Sequence, residues 1–528
     1  VFLLAAATTY REAFPLQAVT SCLNNAAKQS YDELKKRHLD DICKNFSTCH
    51  LNLAGDWTLE RLPTDVRLKR AATQADPGLD ALYFQYGRWL LFAASRPGSL
   101  PANLQGIWND SFFPPWDSKF TININTEMNY WPAAVCGLAS CEEPLFDLLA
   151  RMVPNGQHTA QEMYGCRGFV AHHNTDLWGD TDPQDRYLPA SFWPMGAAWL
   201  CTYIWRYYLY SCDVQLLRSR FTILEQAVLF FVDFLEQDED GFYVTNPSVS
   251  PENTYILPSG VHGNLCIGST MDMQILHELF AGYIVAAAEL DVSNETTHAA
   301  AAILPQLRPM RIGKDGRLLE WGGEYGEVEP GHRHISHLYA LAPGNEISTL
   351  ATPKWADAAR KTLEYRLANG GGYTGWSRAW IALFWARLGE GCKWEECLRE
   401  LYANSTFPNL MDNHPSKHGP VFQIDGNCGM IAAMAECLVQ IIYEGMKPQA
   451  VSLLPALPPS WQSGNVMGLR LPGGASVDIL WEKGILLNTT LHATAPWRMR
   501  LHYANIDAEI ELFAGQSVTL NTALQTIE

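Results

Sequence analysis

The sequence predicts a mainly α fold, a closed ring of paired helices followed by a small β-sandwich module. Three observations predict it. Apolar residues recur at helical spacing through the middle of the chain, up to about residue 446. From Lys447 onward the pattern shortens to alternating runs punctuated by glycine turns. The loops between helices are rich in Pro, Gly, Asn, His and Trp, as expected where polar connections gather at one mouth of a ring. No strict repeat is visible, which disfavours a solenoid.

The chain opens Val1-Phe2-Leu3-Leu4-Ala5, an apolar run broken by Thr8 and Thr9 before Arg11 and Glu12. It is too short to span a membrane and lacks a basic flank, so it reads as a strand continuing from something upstream. Residues 1–24 are therefore expected to be the remnant of an upstream β domain with its linker, in a sequence that is a fragment. Within 25–446, Ala81–Ser95, Phe192–Tyr210, Leu216–Leu235, Met271–Leu290, Trp355–Leu367, Ser377–Leu388, Trp394–Tyr402 and Met430–Tyr443 keep apolar residues on one helical face. With shorter candidates this makes roughly a dozen helices over about 400 residues. Residues 447–528 supply strands at Val451–Leu457, Ala475–Trp481, Ile485–Leu491, Trp497–Tyr503, Ala508–Leu512 and Ser517–Leu520. Gly473-Gly474, Lys483-Gly484 and Ala514-Gly515 mark the turns.

Composition narrows the function. A net charge of -18, with no Lys/Arg run longer than Lys35-Lys36-Arg37, argues against a nucleic-acid or anionic-membrane partner, and 47% hydrophobic against 18% charged residues is a folded composition. The 13 cysteines show neither CxxC pairs nor zinc spacing, a pattern of reduced, mostly buried thiols. The 18 tryptophans supply flat apolar faces, suited to sugar rings and equally to interhelical gaps.

Five loops are dense in chemistry. Phe120–Pro132 sets Asn123 and Asn125 two apart; in extended backbone both amides face one side and can orient a water or a sugar hydroxyl, or simply satisfy a loop. Ala171–Asp185 carries aspartates, but glycine at loop position six and an acid at twelve are absent, so it is not an EF-hand. Asn246–Tyr255 presents Glu252 after Pro251, fitting a general acid or a helix-capping region. Gly331–Tyr339 places His332, Arg333, His334 and His337 together. Metal binding by His334 and His337 competes there with hydrogen bonding to hydroxyls and with loop packing. Pro420–Gly429 holds Asp425 before a Gly-Asn turn, as a capping or a catalytic residue. Gly370–Gly372 lacks the Lys and Ser/Thr of a phosphate loop. An amide- and carboxylate-rich mouth without metal or nucleotide signature points to a neutral polyhydroxylated ligand, and glycoside hydrolysis needs two carboxyl-type roles.

Asn123–Ala134 (NINTEMNYWPAA), HHNTDLWGD, NPSVSPEN, RHISHL and FQIDGNCG, in this order, resemble glycoside hydrolase family 95, the 1,2-α-L-fucosidases. The likeness runs from about Tyr10 into the β module. It implies an (α/α)6 barrel and inverting release of terminal α-L-fucose, α1,2-linked to galactose, from fucosylated oligosaccharides, with no cofactor or metal. It also implies that Glu252 is the general acid, that Asn123 and Asn125 position the attacking water, and that Asp425 polarises them. By the same resemblance Arg333 and His334 bind substrate, with His173, Asp176 and Trp178 lining the pocket. An α-L-galactosidase on the same scaffold and a non-hydrolytic fucosyl-glycan binder are the alternatives. Compartment and oligomeric state stay open.

Overall fold

The computed structural model describes residues 2–416 and 419–527. They divide into two compact units, one up to His50 and one from Leu51 onward. In the first unit, residues 2–12 form no strand. A strand needs a neighbour for its backbone groups, and among the described residues none pairs with this run. Helices start instead at α1 (Pro15–Ala27) and α2 (Tyr31–Phe46), the latter opened by a Ser30–Glu33 capping box.

The second unit carries α3 (Thr64–Ala71), α4 (Pro77–Ala94), α5 (Asn125–Tyr130), α6 (Glu143–Thr159), the single turn α7 (Leu188–Ser191), α8 (Gly196–Ser211) and α9 (Val214–Phe234). It continues with α10 (Thr270–Glu289), α11 (Glu295–Ile303), α12 (Pro353–Ala368), α13 (Gly375–Arg387), α14 (Gly391–Asn404) and α15 (Ile424–Leu438). Apart from α7 these are twelve helices in successive pairs, an (α/α)6 barrel. Helices buried on nearly every face, such as α8, α10, α13 and α15, form the inner ring; α14 keeps one apolar face inward and a charged face outward. Packing of α15 against α4 and α5 closes the ring. No helix among the described residues is long and apolar enough to cross a membrane.

The expected helix Met430–Tyr443 is two elements. Helix α15 begins earlier, at Ile424, and ends at Leu438, where the chain turns directly into a strand, Val439–Glu444. The run Val-Gln-Ile-Ile-Tyr is β-branched and aromatic enough for a strand, and a ladder with Lys447–Leu453 fixes it as one. Numbering the longer strands β1 (His50–Leu53), β2 (Val439–Glu444), β3 (Lys447–Leu453), β4 (Gly464–Leu471), β5 (Ala475–Glu482), β6 (Ile485–Ala493), β7 (Trp497–Tyr503), β8 (Ile506–Leu512) and β9 (Ser517–Asn521), the module has two sheets, ordered β1-β4-β5-β6-β9 and β2-β3-β7-β8. Strand β4 was not anticipated; its Gly464 and Gly468 mask the alternation.

The module is tied to the barrel by polar contacts, including the buried Trp461 Nε1 to Asp80 Oδ2 at 2.9 Å and Arg470 N to Val135 O at 2.8 Å. Because α15 runs about 22 Å from Asp425 at its start to β2 at its end, the β module and the Asp425 end of the barrel lie at opposite ends of that helix.

Candidate active site

A cleft of about 500 Å³ opens at the mouth where α13 and α15 begin, lined among others by Asn125, His173, Asn174, Glu252, Arg333, His334, Trp376 and Gln423. Each arrives by a distinct route. A two-stranded pairing of Phe120–Thr121 with Asn174–Thr175 brings the first and second motifs together. Asn125 is the first residue of α5 and Asn123 precedes it, so the expected extended pair is instead a helix entry. The two amides still serve one site, each holding a different carboxyl. Asn123 Nδ2 donates to Glu252 Oε1 at 3.2 Å, and Asn125 Nδ2 donates to Asp425 Oδ2. Helix α5 itself is fastened beneath them by Tyr203 Oη to Glu127 O at 2.6 Å and by Tyr130 Oη, which lies 2.9 Å from Ser95 Oγ.

Glu252 is held from several sides. Arg333 Nη2 donates to its Oε2 at 2.6 Å, opposite the oxygen that Asn123 holds, which fixes the plane of the carboxyl. Its backbone N–H donates to His332 Nε2 at 3.3 Å, leaving His332 Nδ1 to donate to Glu329 at 2.9 Å. The neighbours on either side are anchored to the buried Glu320, which accepts from Ser250 Oγ at 2.7 Å and Asn253 Nδ2 at 3.2 Å and is paired with Arg366. His334 Nε2 lies 3.8 Å from Glu252 Oε1, its ring stacked on His332 and edge-on to Trp376. Burial, reinforced by the Arg333 charge, pushes His334 well below the ordinary imidazole range, so it is neutral. His337 turns away to Glu320, 3.6 Å distant, so the imidazoles of this loop do not converge on one point.

Asp425 sits in the first turn of α15, completely buried. It accepts from Asn125 and from the Gly426 N–H at 2.8 Å, yet burial dominates and pushes its carboxyl up to about 7. A second carboxyl that sequence reasoning missed, Asp412, lies fully buried beside it with no hydrogen-bond partner on either oxygen among the described residues. Burial first, and then the Asp425 charge, push Asp412 well above the carboxylate range, so it stays neutral. The short hairpin Asn413–His414 with Val421–Phe422 joins the two aspartates. Gly426 allows the close approach, since a Cβ there would stand 2.2 Å from Asp412 Cγ.

His173 is buried in the cleft, where burial lowers its proton affinity. Its orienting acid is Asp185, 3.3 Å away. Asp176, expected to line the pocket, instead closes the turn at Trp178, whose N–H donates to it at 2.8 Å. Trp178 is 67% exposed, and neither residue lines the cleft. Asn123 Oδ1, His334 Nδ1, His173 Nδ1, Asn174 Oδ1 and Gln423 Oε1 are buried and have no partner among the described residues. Such convergent donors and acceptors fit a ligand dense in hydroxyls. Among the described residues no group of three or more His, Cys, Asp or Glu is arranged to hold a metal ion.

The cleft rim has unusual backbone. Trp116, Asp117 and Ser118 have φ of 52°, 55° and 48°, a left-handed run without glycine. For L-residues that conformation costs roughly 1–2 kcal/mol each.

A twelve-helix toroid whose mouth sets two carboxyls against two amides belongs to the class of glycosidase-type (α/α)6 proteins. Residues 30–438 match the glycosyl hydrolase family 95 catalytic domain, and residues 447–526 match the glycoside hydrolase family 95 C-terminal domain. The chain belongs to glycoside hydrolase family 95. It is 38% identical to "Alpha-L-fucosidase 2" of Arabidopsis thaliana, over 100% of this chain and 64% of that protein. It is 33% identical to "Probable alpha-fucosidase A" of Aspergillus niger, over 89% of this chain and 60% of the relative. The chain thus spans about three fifths of the length of these curated relatives. Among solved structures, "Putative kojibiose phosphorylase from human microbiome" superimposes with a TM-score of 0.65 at 10% identity, covering 95% of this chain and 72% of its own, a likeness of fold.

Proposed function

We propose that this chain is the catalytic part of an inverting α-L-fucosidase that releases terminal α-L-fucose, α1,2-linked to galactose, from oligosaccharides or glycans. The observation that carries the reading is the division of the amides between the carboxyls, Asn123 on Glu252 and Asn125 on Asp425. The names of the curated relatives support the sugar, and the family resemblance supports the linkage and the stereochemistry.

In this mechanism Glu252 protonates the glycosidic oxygen as its bond to the anomeric carbon breaks. On the other side, Asp425 accepts the Asn125 N–H and so raises the electron density on the Asn125 carbonyl oxygen, which holds the attacking water. Asn123 orients the same water. As the water bonds to the anomeric carbon, its proton moves toward the Asn125–Asp425 pair, and fucose leaves with inverted configuration. Arg333 fixes the Glu252 carboxyl; His173, Asn174 and Gln423 meet the sugar hydroxyls. An amide alone is a poor base, so the carboxylate behind it is indispensable.

The test is release of L-fucose from a fucosyl-α1,2-galactoside by the wild type and by Glu252→Gln and Asp425→Asn. Each variant is expected to lose at least about 100-fold in kcat with the fold retained. Wild-type turnover in either removes that residue from the mechanism.

A further inference from the structure

We propose that Trp116, with Tyr187 and Tyr373, forms a subsite for the sugars on the leaving side of the scissile bond, so that this aromatic rim selects oligosaccharides over fucosides with a small leaving group. The proposal rests on the fucosidase reading above and adds to it where the rest of the glycan lies.

The cleft is divided by exposure. Its floor is buried amide and imidazole around Glu252, whereas Trp116, Tyr187 and Tyr373 line it and remain about half exposed. Rings with one face on protein and one in solvent are the surface on which a pyranose stacks. The rim and the acid line the same cleft. Arg333, which grips Glu252 at 2.6 Å, lines the cleft together with Tyr373 and His414. Trp116 packs edge-on against His414, with ring centroids 5.2 Å apart. A general acid delivers its proton to the departing oxygen, so the departing sugars lie beside Glu252 and therefore among these rings.

The backbone supplies independent support. Trp116, Asp117 and Ser118 hold three consecutive left-handed conformations that glycine would adopt without penalty, yet none is glycine. The turn is enforced by Asp117 N to Pro114 O at 3.0 Å, Lys119 N to Trp116 O at 3.2 Å and Ser118 Oγ to Asn103 Oδ1 at 3.1 Å. Disfavoured backbone retained in this way, at a cleft, is a mark of a side chain whose direction is used. On the same loop Phe112 and Phe113 are 99% and 91% exposed, further apolar surface for a longer glycan.

The experiment compares kcat/KM on two probes, α-L-fucosyl fluoride and a tetrasaccharide with terminal α1,2-linked fucose, for the wild type, Trp116→Gly and Trp116→Tyr. The ratio of tetrasaccharide to fluoride efficiency is expected to fall about ten-fold in Trp116→Gly, through KM, and to recover to within about three-fold of wild type in Trp116→Tyr. Trp116→Gly should unfold at no lower temperature than the wild type, because glycine suits the left-handed position. An unchanged ratio, or equal loss on both probes with a lowered unfolding temperature, overturns the subsite. A wild type that releases fucose while the ratio stays fixed leaves the fucosidase reading intact and removes only this inference; a wild type inactive on both probes removes both.

Discussion

Replacing Asp425 by asparagine should stabilise the fold while removing most of its turnover. The wild-type carboxyl is buried and held at about 7, against an ordinary value of 3.8. Raised proton affinity in the folded state means that folding favours the neutral acid. The fold therefore carries no penalty from this group below the ordinary carboxylate range, and the penalty grows as pH rises toward 7. Above 7 it is complete, at about 4 kcal/mol as an upper bound; at pH 5 it is about 2 kcal/mol. An amide has the same shape and no charge to desolvate, and by turning its own amide Asn125 can keep one hydrogen bond to it. Thermal unfolding of both proteins from pH 5 to pH 8 should show the variant more stable, with the gap widening as pH rises. Parallel curves, or a gap that narrows with rising pH, would refute the claim that Asp425 is a destabilising, ionisable group retained for chemistry.

Two further predictions follow from the same corner of the structure. In the proposed mechanism Asp425 acts as the anion, so the acid limb of kcat/KM should have its midpoint near 7, rising with pH as the carboxyl ionises; a rate that is flat from pH 5 to pH 8 contradicts the role. Gly426→Ala should destabilise by about 1–3 kcal/mol and lower turnover, since the new Cβ would stand 2.2 Å from Asp412 Cγ and displace the turn that carries Asp425; wild-type melting and activity would show that the close packing at Asp412 is dispensable.

Much of this architecture is legible in the chain: helices of a toroid bury continuous apolar faces, so those near residues 196–211 and 270–289 fall within a few residues of their expected places, and the alternating run Trp497–Tyr503 forms the strand its pattern predicts. Local pattern fails where tertiary pairing decides, as at Val439–Glu444, which continues a helical run in sequence but joins a sheet. The site divides the same way. Glu252, Asp425, Asn123, Asn125, Arg333, His334 and His173 stand in motifs whose residue types suggest chemistry, and the fold brings them to one region. Asp176 and Asp185 sit nine residues apart in one acidic loop, and only the fold assigns Asp185 to His173. Glu320 and Asp412 had no signal at all, because their roles depend on partners that approach only in space: Ser250, Asn253 and Arg366 for one, Asp425 and Gly426 for the other.

The central claim is that water held by Asn123, Asn125 and Asp425 attacks opposite the group that Glu252 protonates. Proton NMR of the first fucose released from a fucosyl-α1,2-galactoside, recorded before mutarotation, tests it directly. The account predicts that the β anomer appears first and the α anomer grows in afterwards. An initial α anomer would mean retention and a covalent intermediate, for which this arrangement of two amides between two carboxyls has no use.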